Sequence, residues 1–263
     1  MWLNTLPLWT SALLVVVLPT LLAVAGTVVV RRLLRLTRLR ANNEVAGFKF
    51  AVVGVIYAVL LAFAIFVVWE QLSDAEADVA REAGAATNLY RLSGGIDDEA
   101  GRTLRTLVTR YLETAVGEDW PAMGHGNASA AATHALNGLY AGAVAYQPSG
   151  PREQAVLNEV LHQLGELTEA RRARLLKASS LVPGVIWLGL VMGAVVTIGF
   201  TYFFGTRHLR AQMLMTGALS LLICSGLLVI VAIDHPFSGA VMVHPDALVK
   251  VLEDFGGEPA PAR

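Results

Sequence analysis

Four carboxylates and four bulky apolar side chains stand in a pattern that could pass ions. Glu44 lies before, and Glu70, Asp74 and Asp78 after, an uncharged run at 50–69. On a helix turning about 100° per residue, Glu44, Phe48, Val52, Val55, Val59, Phe63, Phe66, Glu70 and Asp74 share an arc of about 120°. That arc is apolar in the middle and acidic at both ends. Glu44 and Glu70 are separated by about 39 Å at 1.5 Å per residue, close to a bilayer with its headgroups. In a ring of such helices the acids form mouths that enrich cations, and Val55, Val59, Phe63 and Phe66 form an apolar neck that can close by dewetting. A plainer alternative has the apolar arc facing lipid or a neighbouring span, with the acids marking the water interfaces. Beside the arc, Gly47, Ala51, Gly54, Ala58 and Ala62 make a narrow stripe of small residues, along which another helix can approach closely in lipid.

Other groups outside this arc could also carry chemistry. Asp234 and His235 end the last apolar run and could bind an ion or relay protons, since ionisable groups at a membrane boundary are expensive. Alternatively Asp234 caps the turn at Pro236 and pairs with an arginine. His125 and His134 with Glu118 and Asp119 match no ligand spacing and suit a solvated loop better than a metal site. Tyr57 suits packing between helices, and Lys49 is placed to snorkel to the interface. The single cysteine, Cys224, excludes an internal disulfide or a cysteine metal cluster. Its simplest role is that of a small packed residue. The chain carries no Walker-type glycine loop, nucleophile elbow or zinc-histidine helix motif, so neither an enzyme nor a cofactor is expected. No metal site and no nucleic-acid partner are expected either.

The elements that must position these groups are membrane helices. Of 263 residues, 55% are hydrophobic and 16% charged, against about 25% charged in an ordinary soluble domain. Uncharged runs at 1–30, 50–69, 178–206 and 211–233 are each long enough to span a bilayer. The expected organisation is an all-α integral membrane protein. Residues 1–69 form spans one and two with a basic loop at 31–47. Residues 70–180 form a helical bundle, 181–233 form spans three and four, and 234–263 form a tail. Within the bundle, the second span continues to Leu92 and stops at Gly94-Gly95. A helix follows from Asp97 and Asp98 to about Val116, with Leu104, Leu107, Val108 and Tyr111 on one face. The stretch 117–127, with three glycines and Pro121, reads as a break. Further helices are expected over about 128–146 and from Pro151 to Ser180, the last with an apolar stripe of Leu157, Val160, Leu161, Leu164 and Leu167.

Charge is strongly segregated. Residues 31–49 and 205–211 together hold eight basic residues and one acid, whereas 70–180 holds 15 acids and 10 bases, and 234–263 five and two. The arginines after the first span place 31–49 in the cytoplasm, with both termini and the bundle outside the cell. Arg171, Arg172, Arg174 and Lys177, just before the third span, argue in the opposite direction. The cluster Arg31 to Arg40 suits anionic inner-leaflet lipids.

The stretch NNEVAGFKFAVVGVIYAVLLAFAIFVVWEQ (42–71), with EA (82–83), LYRL (89–92) and DHPFSG (234–239), resembles a bacterial bestrophin-like membrane family, described mainly as a domain of unknown function. Bestrophins proper are pentameric ion channels whose second span lines the pore, with an apolar neck at i, i+4 and i+8. Val55, Val59 and Phe63 have that spacing. The resemblance therefore implies a homo-pentameric channel for inorganic ions in the bacterial plasma membrane. It departs from this chain in one respect: bestrophins keep their termini and soluble part in the cytosol. The acidic mouth favours cations over anions. The alternatives are an anion channel of the same architecture and a membrane-anchored sensor or interaction protein without transport.

Overall fold

The computed structural model describes residues 7–33, 43–96, 98–179 and 182–257. It is all-helical among these residues, and four helices are long and apolar enough to cross a membrane. The chain forms two compact units. The first comprises the described parts of 1–71, 180–235 and 239–241, and the second those of 72–179, 236–238 and 242–263.

The first unit holds the spans. Helix α1 runs over Leu8–Leu33 and is locally widened to π geometry at Leu13–Val17. Pro19 follows that segment and has no N–H for the preceding turn, which is where a helix in lipid accommodates by such an adjustment. Helix α2, Asn43–Leu92, is 50 residues long and has no internal proline to stop it. Its residues up to Gln71 belong to this unit. Helices α6, Gly184–Phe200, and α7, Leu209–Ile233, complete it. Arg35, Arg38 and Arg40 of the basic loop lie outside the described residues.

Small residues and hydroxyls hold these spans together, as expected where water exclusion drives nothing between helices. The Tyr202 hydroxyl donates to the Ala23 carbonyl at 3.1 Å, and its ring fills the space above Gly26. Gln212, Thr216, Ser220 and Cys224, four residues apart along α7, are all buried. Thr216 Oγ1 meets Thr201 Oγ1 of the α6 end at 3.3 Å. The Tyr57 ring lies so close over Gly193 that a methyl group there would collide with it. Gly193→Ala is therefore expected to destabilise the unit by roughly 1–3 kcal/mol, read as a lower melting temperature in detergent. Tyr57→Leu, which removes the ring, should recover part of that loss.

In the second unit α3, Asp98–Thr114, passes through a π turn at Ala115–Asp119 into a short helix at Trp120–Met123. The expected break at 117–127 is thus mostly helical, because Asp119, Trp120 and Met123 are all buried and fix the backbone from inside. The turn comes later, at 124–126, where Gly126 has a positive φ of 73°. Helix α4, Ala130–Ala145, starts at Ser129, whose hydroxyl accepts from the backbone N–H groups of Ala131 and Ala132. Helix α5, Pro151–Leu176, starts with proline in its first turn, as the missing N–H allows. Leu157, Val160, Leu164 and Leu167 of its stripe are buried, whereas Leu161 is exposed. A helix not anticipated in the tail, α8 at Asp246–Gly257, buries Leu248 and stacks Phe255 on Tyr90 with centroids 3.7 Å apart.

Candidate functional site

Helix α2 presents two opposite faces in the first unit. Ala46, Tyr57, Ala64 and Val68 are buried and fall on one line of the helix. Far around from that line, Val55 is 64% exposed, Val59 49%, Phe63 67% and Phe66 61%. Phe48 and Val52, nearer Glu44 on the same arc, are exposed as well. The chain's own spans therefore leave the whole arc uncovered.

The charged ends of the arc differ among themselves. Glu44, Glu70 and Asp74 are exposed, with Glu44 in the first turn of α2, where a carboxylate suits the helix dipole. Asp78 is buried within the second unit and bonded to Lys177 at 2.6 Å and Arg81 at 3.3 Å. Its charge is already matched inside the protein. Between the arc and the buried line, Gly47 and Gly54 are half-buried, and Ala51, Ala58 and Ala62 are exposed. This chain's own helices cover the stripe only in part, at its two glycines, and leave the three alanines open.

A buried charge cluster in the second unit is the feature that local sequence patterns left unread. Arg174 and Glu82 have fully buried side chains and form a two-pronged pair: Arg174 Nε donates to Glu82 Oε2 at 2.6 Å and Nη2 to Oε1 at 2.9 Å. The Tyr111 hydroxyl donates to the same carboxylate at 2.5 Å. Asp119 accepts from Arg171 Nε at 2.8 Å, from Arg174 Nη2 at 3.2 Å and from the Ser129 N–H at 2.7 Å. Below the guanidinium of Arg174 lies the Trp120 ring, 4.9 Å from its centroid. Fully bonded charges of this kind can persist in a dry interior. The charges recur at helical spacing, but that spacing does not say which faces meet. Asp78 and Glu82 lie one turn apart on α2, while Arg171, Arg174 and Lys177 recur every three residues on α5 and just past its end, and in the fold the two ladders of opposite sign face one another. Three of the four bases that argued against the orientation are thus internally paired.

Burial alone would raise the Asp119 carboxyl, but the hydrogen bonds from Arg171 and Ser129 and the nearby guanidinium charges hold it below the ordinary aspartate value. Burial, reinforced by the Glu82 charge, pushes Tyr111 well up. A carboxyl depressed in the folded state contributes stability above its unfolded pKa and loses it as pH falls through the folded value. The stability advantage of wild type over Asp119→Asn should therefore be full at pH 7 and shrink below about pH 4. Denaturant titrations of both proteins at a series of pH values check this.

At the end of the last span, the Asp234 carboxylate accepts the Val182 N–H at 2.9 Å, just before α6, a backbone partner that neither reading of the residue anticipated. His235 Nδ1 lies 3.4 Å from Asp234 Oδ2. Burial holds this imidazole below the ordinary histidine value against the pull of that carboxylate. Gly239, with φ 101°, makes the turn of the DHPFSG segment. Among the described residues no three His, Cys, Asp or Glu side chains converge as metal ligands. His125 instead sits 3.1 Å from the Pro121 carbonyl, and Asp119 belongs to the charge cluster.

Comparison with known proteins matches residues 17–248 to the family model described as the Bestrophin-like domain. No curated protein matches the chain. Among solved structures, a point-mutant form of a bacterial bestrophin homolog from Klebsiella pneumoniae superposes with a TM-score of 0.71 at 14% identity, covering 92% of this chain and 99% of that one. The same homolog solved by Zn-SAD phasing gives 0.67 at 14% identity, with coverage of 92% and 99%. These likenesses show a common fold.

Proposed function

The chain belongs to the bestrophin-like family, and on that premise we propose that it is a homo-oligomeric, cation-permeable ion channel with its pore lined by α2. One observation carries the reading. The face of α2 from Glu44 to Asp74 is exposed along its length, apolar in the middle and acidic at both ends. The acids and the uncovered apolar residues share one arc, which is the arrangement a pore wall requires.

Five copies arranged around an axis, the number the family resemblance implies, would bring these faces together. Val55, Val59, Phe63 and Phe66 would then form stacked apolar rings, and a narrow apolar tube excludes water until it widens. Glu70 and Asp74 would ring one mouth and Glu44 the other, raising the local cation concentration. Asp78, already paired with Lys177, is not part of this mouth. The stripe from Gly47 to Ala62 would let neighbouring copies of α2 approach one another. The arginine distribution favours residues 70–180 and both termini on the outer side of the bacterial plasma membrane.

The test of selectivity is the reversal potential of purified protein in planar bilayers under a potassium chloride gradient. Wild type should reverse toward the potassium potential, and Glu70→Lys with Asp74→Lys should move it toward the chloride potential. The displacement should be larger in dilute salt, because screening is weaker there. Unchanged selectivity in the charge-reversed protein would remove the acidic mouth as its cause, and chloride selectivity in wild type would favour an anion channel of the same architecture.

A further inference from the structure

At the arginine-bearing end of the span unit, a cavity of about 410 Å³ opens between the first turns of α2, the end of α6 and the start of α7. Phe50, Phe204, Met215 and Leu219 supply its apolar walls. The polar groups at its edge are turned to the backbone. Asn43 bonds both the N–H and the carbonyl of Gly205 at 3.0 Å, and Gln212 Nε2 donates to the Phe204 carbonyl at 2.7 Å. Gln212 Oε1 in turn accepts from Arg31 at 3.3 Å, and Arg31 donates to the Arg207 carbonyl at 2.9 Å. The slot is therefore greasy inside and cationic at its lip. Arg31 is fixed there by the backbone, the side chains of Arg32, Arg207 and Arg210 are exposed, and Glu44 is the one acid among the described residues at this end of α2.

An apolar cavity at the level of a bilayer interface has too few free polar partners to hold ordered water. Its two chemistries, an apolar slot and guanidinium groups beside it, are those of an amphiphile with an anionic head. We propose that it holds an acyl chain of an anionic phospholipid whose phosphate rests on Arg31, bonded to the lining Gln212, and on the neighbouring Arg207. Guanidinium forks match phosphate oxygens in pairs, and basic pockets between spans favour anionic headgroups. The assignment gives the basic end a defined site rather than a diffuse attraction. It rests on the membrane placement of the spans and does not depend on whether α2 lines a pore.

Full-length Phe204→Trp protein, reconstituted in phosphatidylcholine vesicles, places a fluorophore on the cavity wall; Phe50→Trp provides a second reporter should the first fail to fold. Either is titrated with phosphatidylglycerol or phosphatidylcholine carrying brominated chains, and quenching is read against the native tryptophan background. Brominated phosphatidylglycerol should quench at lower mole fraction than brominated phosphatidylcholine, by roughly fivefold for each arginine engaged. R207Q, which alters only an exposed side chain, should reduce that preference about fivefold. Equal quenching in the parent, a preference unchanged in R207Q, or no quenching by either lipid would each overturn the site. Ion flux does not enter the readout, so failure here and failure of the channel reading are distinguishable.

Discussion

Arg174→Ala is expected to destabilise the second unit by about 3–5 kcal/mol, the cost of leaving a buried ion without its partner. The side chain it removes is fully buried and holds both oxygens of Glu82 and one of Asp119. Burial alone would lower the Arg174 guanidinium, yet the Glu82 charge and hydrogen bond hold it above the ordinary arginine value. Without it, the Glu82 carboxylate relies on the Tyr111 hydroxyl, too little to hold an ion in a dry interior. A loss of this size is a large share of the roughly 5–15 kcal/mol that keeps a domain folded. Chemical unfolding of protein in which Trp120 is kept and the other four tryptophans are replaced by phenylalanine measures it by fluorescence, since that ring lies beneath the guanidinium. Glu82→Gln should cost less than Arg174→Ala because the amide keeps the shape and one acceptor. The double variant should lose less than the two single losses combined, because the groups act as one network.

Val59→Ala combined with Phe63→Ala is expected to raise ion flux through reconstituted protein, and to do so without loss of folding. Both side chains are largely exposed in the single chain, so their removal leaves no cavity in the unit's own core. Trimming them widens the narrowest apolar rings of the proposed pore, where water must enter before an ion can follow. Every 1.4 kcal/mol or so removed from that barrier gives about a tenfold gain in rate. Val53→Ala is a useful contrast: Val53 lies off the exposed arc and is half-buried, so the same loss of methyl groups should leave flux near the wild-type level.

How much of this was legible in the sequence depends on the range of the interactions. The spans and the acid-tipped arc of α2 are written in local periodicity, and the continuation of α2 to Leu92 follows from an unbroken helical pattern ending at Gly94-Gly95. The charge cluster was not legible in this way, because Glu82 and Arg174 are 92 positions apart. Each looked local: Glu82 as one more acid in an acidic segment, Arg174 as an interfacial base before a span. The helical course through Gly117 and Pro121 was missed for the same reason, since it depends on Asp119, Trp120 and Met123 finding buried partners from α5 and the tail. In the tail, α8 declares itself mainly by Leu248 and Phe255, two apolar anchors in a short charged stretch whose partners lie elsewhere in the chain. The Asp234 carboxylate takes a backbone N–H from Val182, 52 positions away, and no side-chain pattern encodes that choice.

The most direct test places a reactive thiol on the proposed pore wall. In a Cys224→Ser background, which removes the one native thiol, Val59→Cys protein in liposomes is treated with a small, permanently charged thiol reagent while cation flux is followed. Rapid modification that blocks most of the flux, with no effect on the Cys224→Ser parent, is the expected result. Complete modification with flux unchanged, or flux through a protein whose introduced thiol stays unreactive, would contradict a pore along α2.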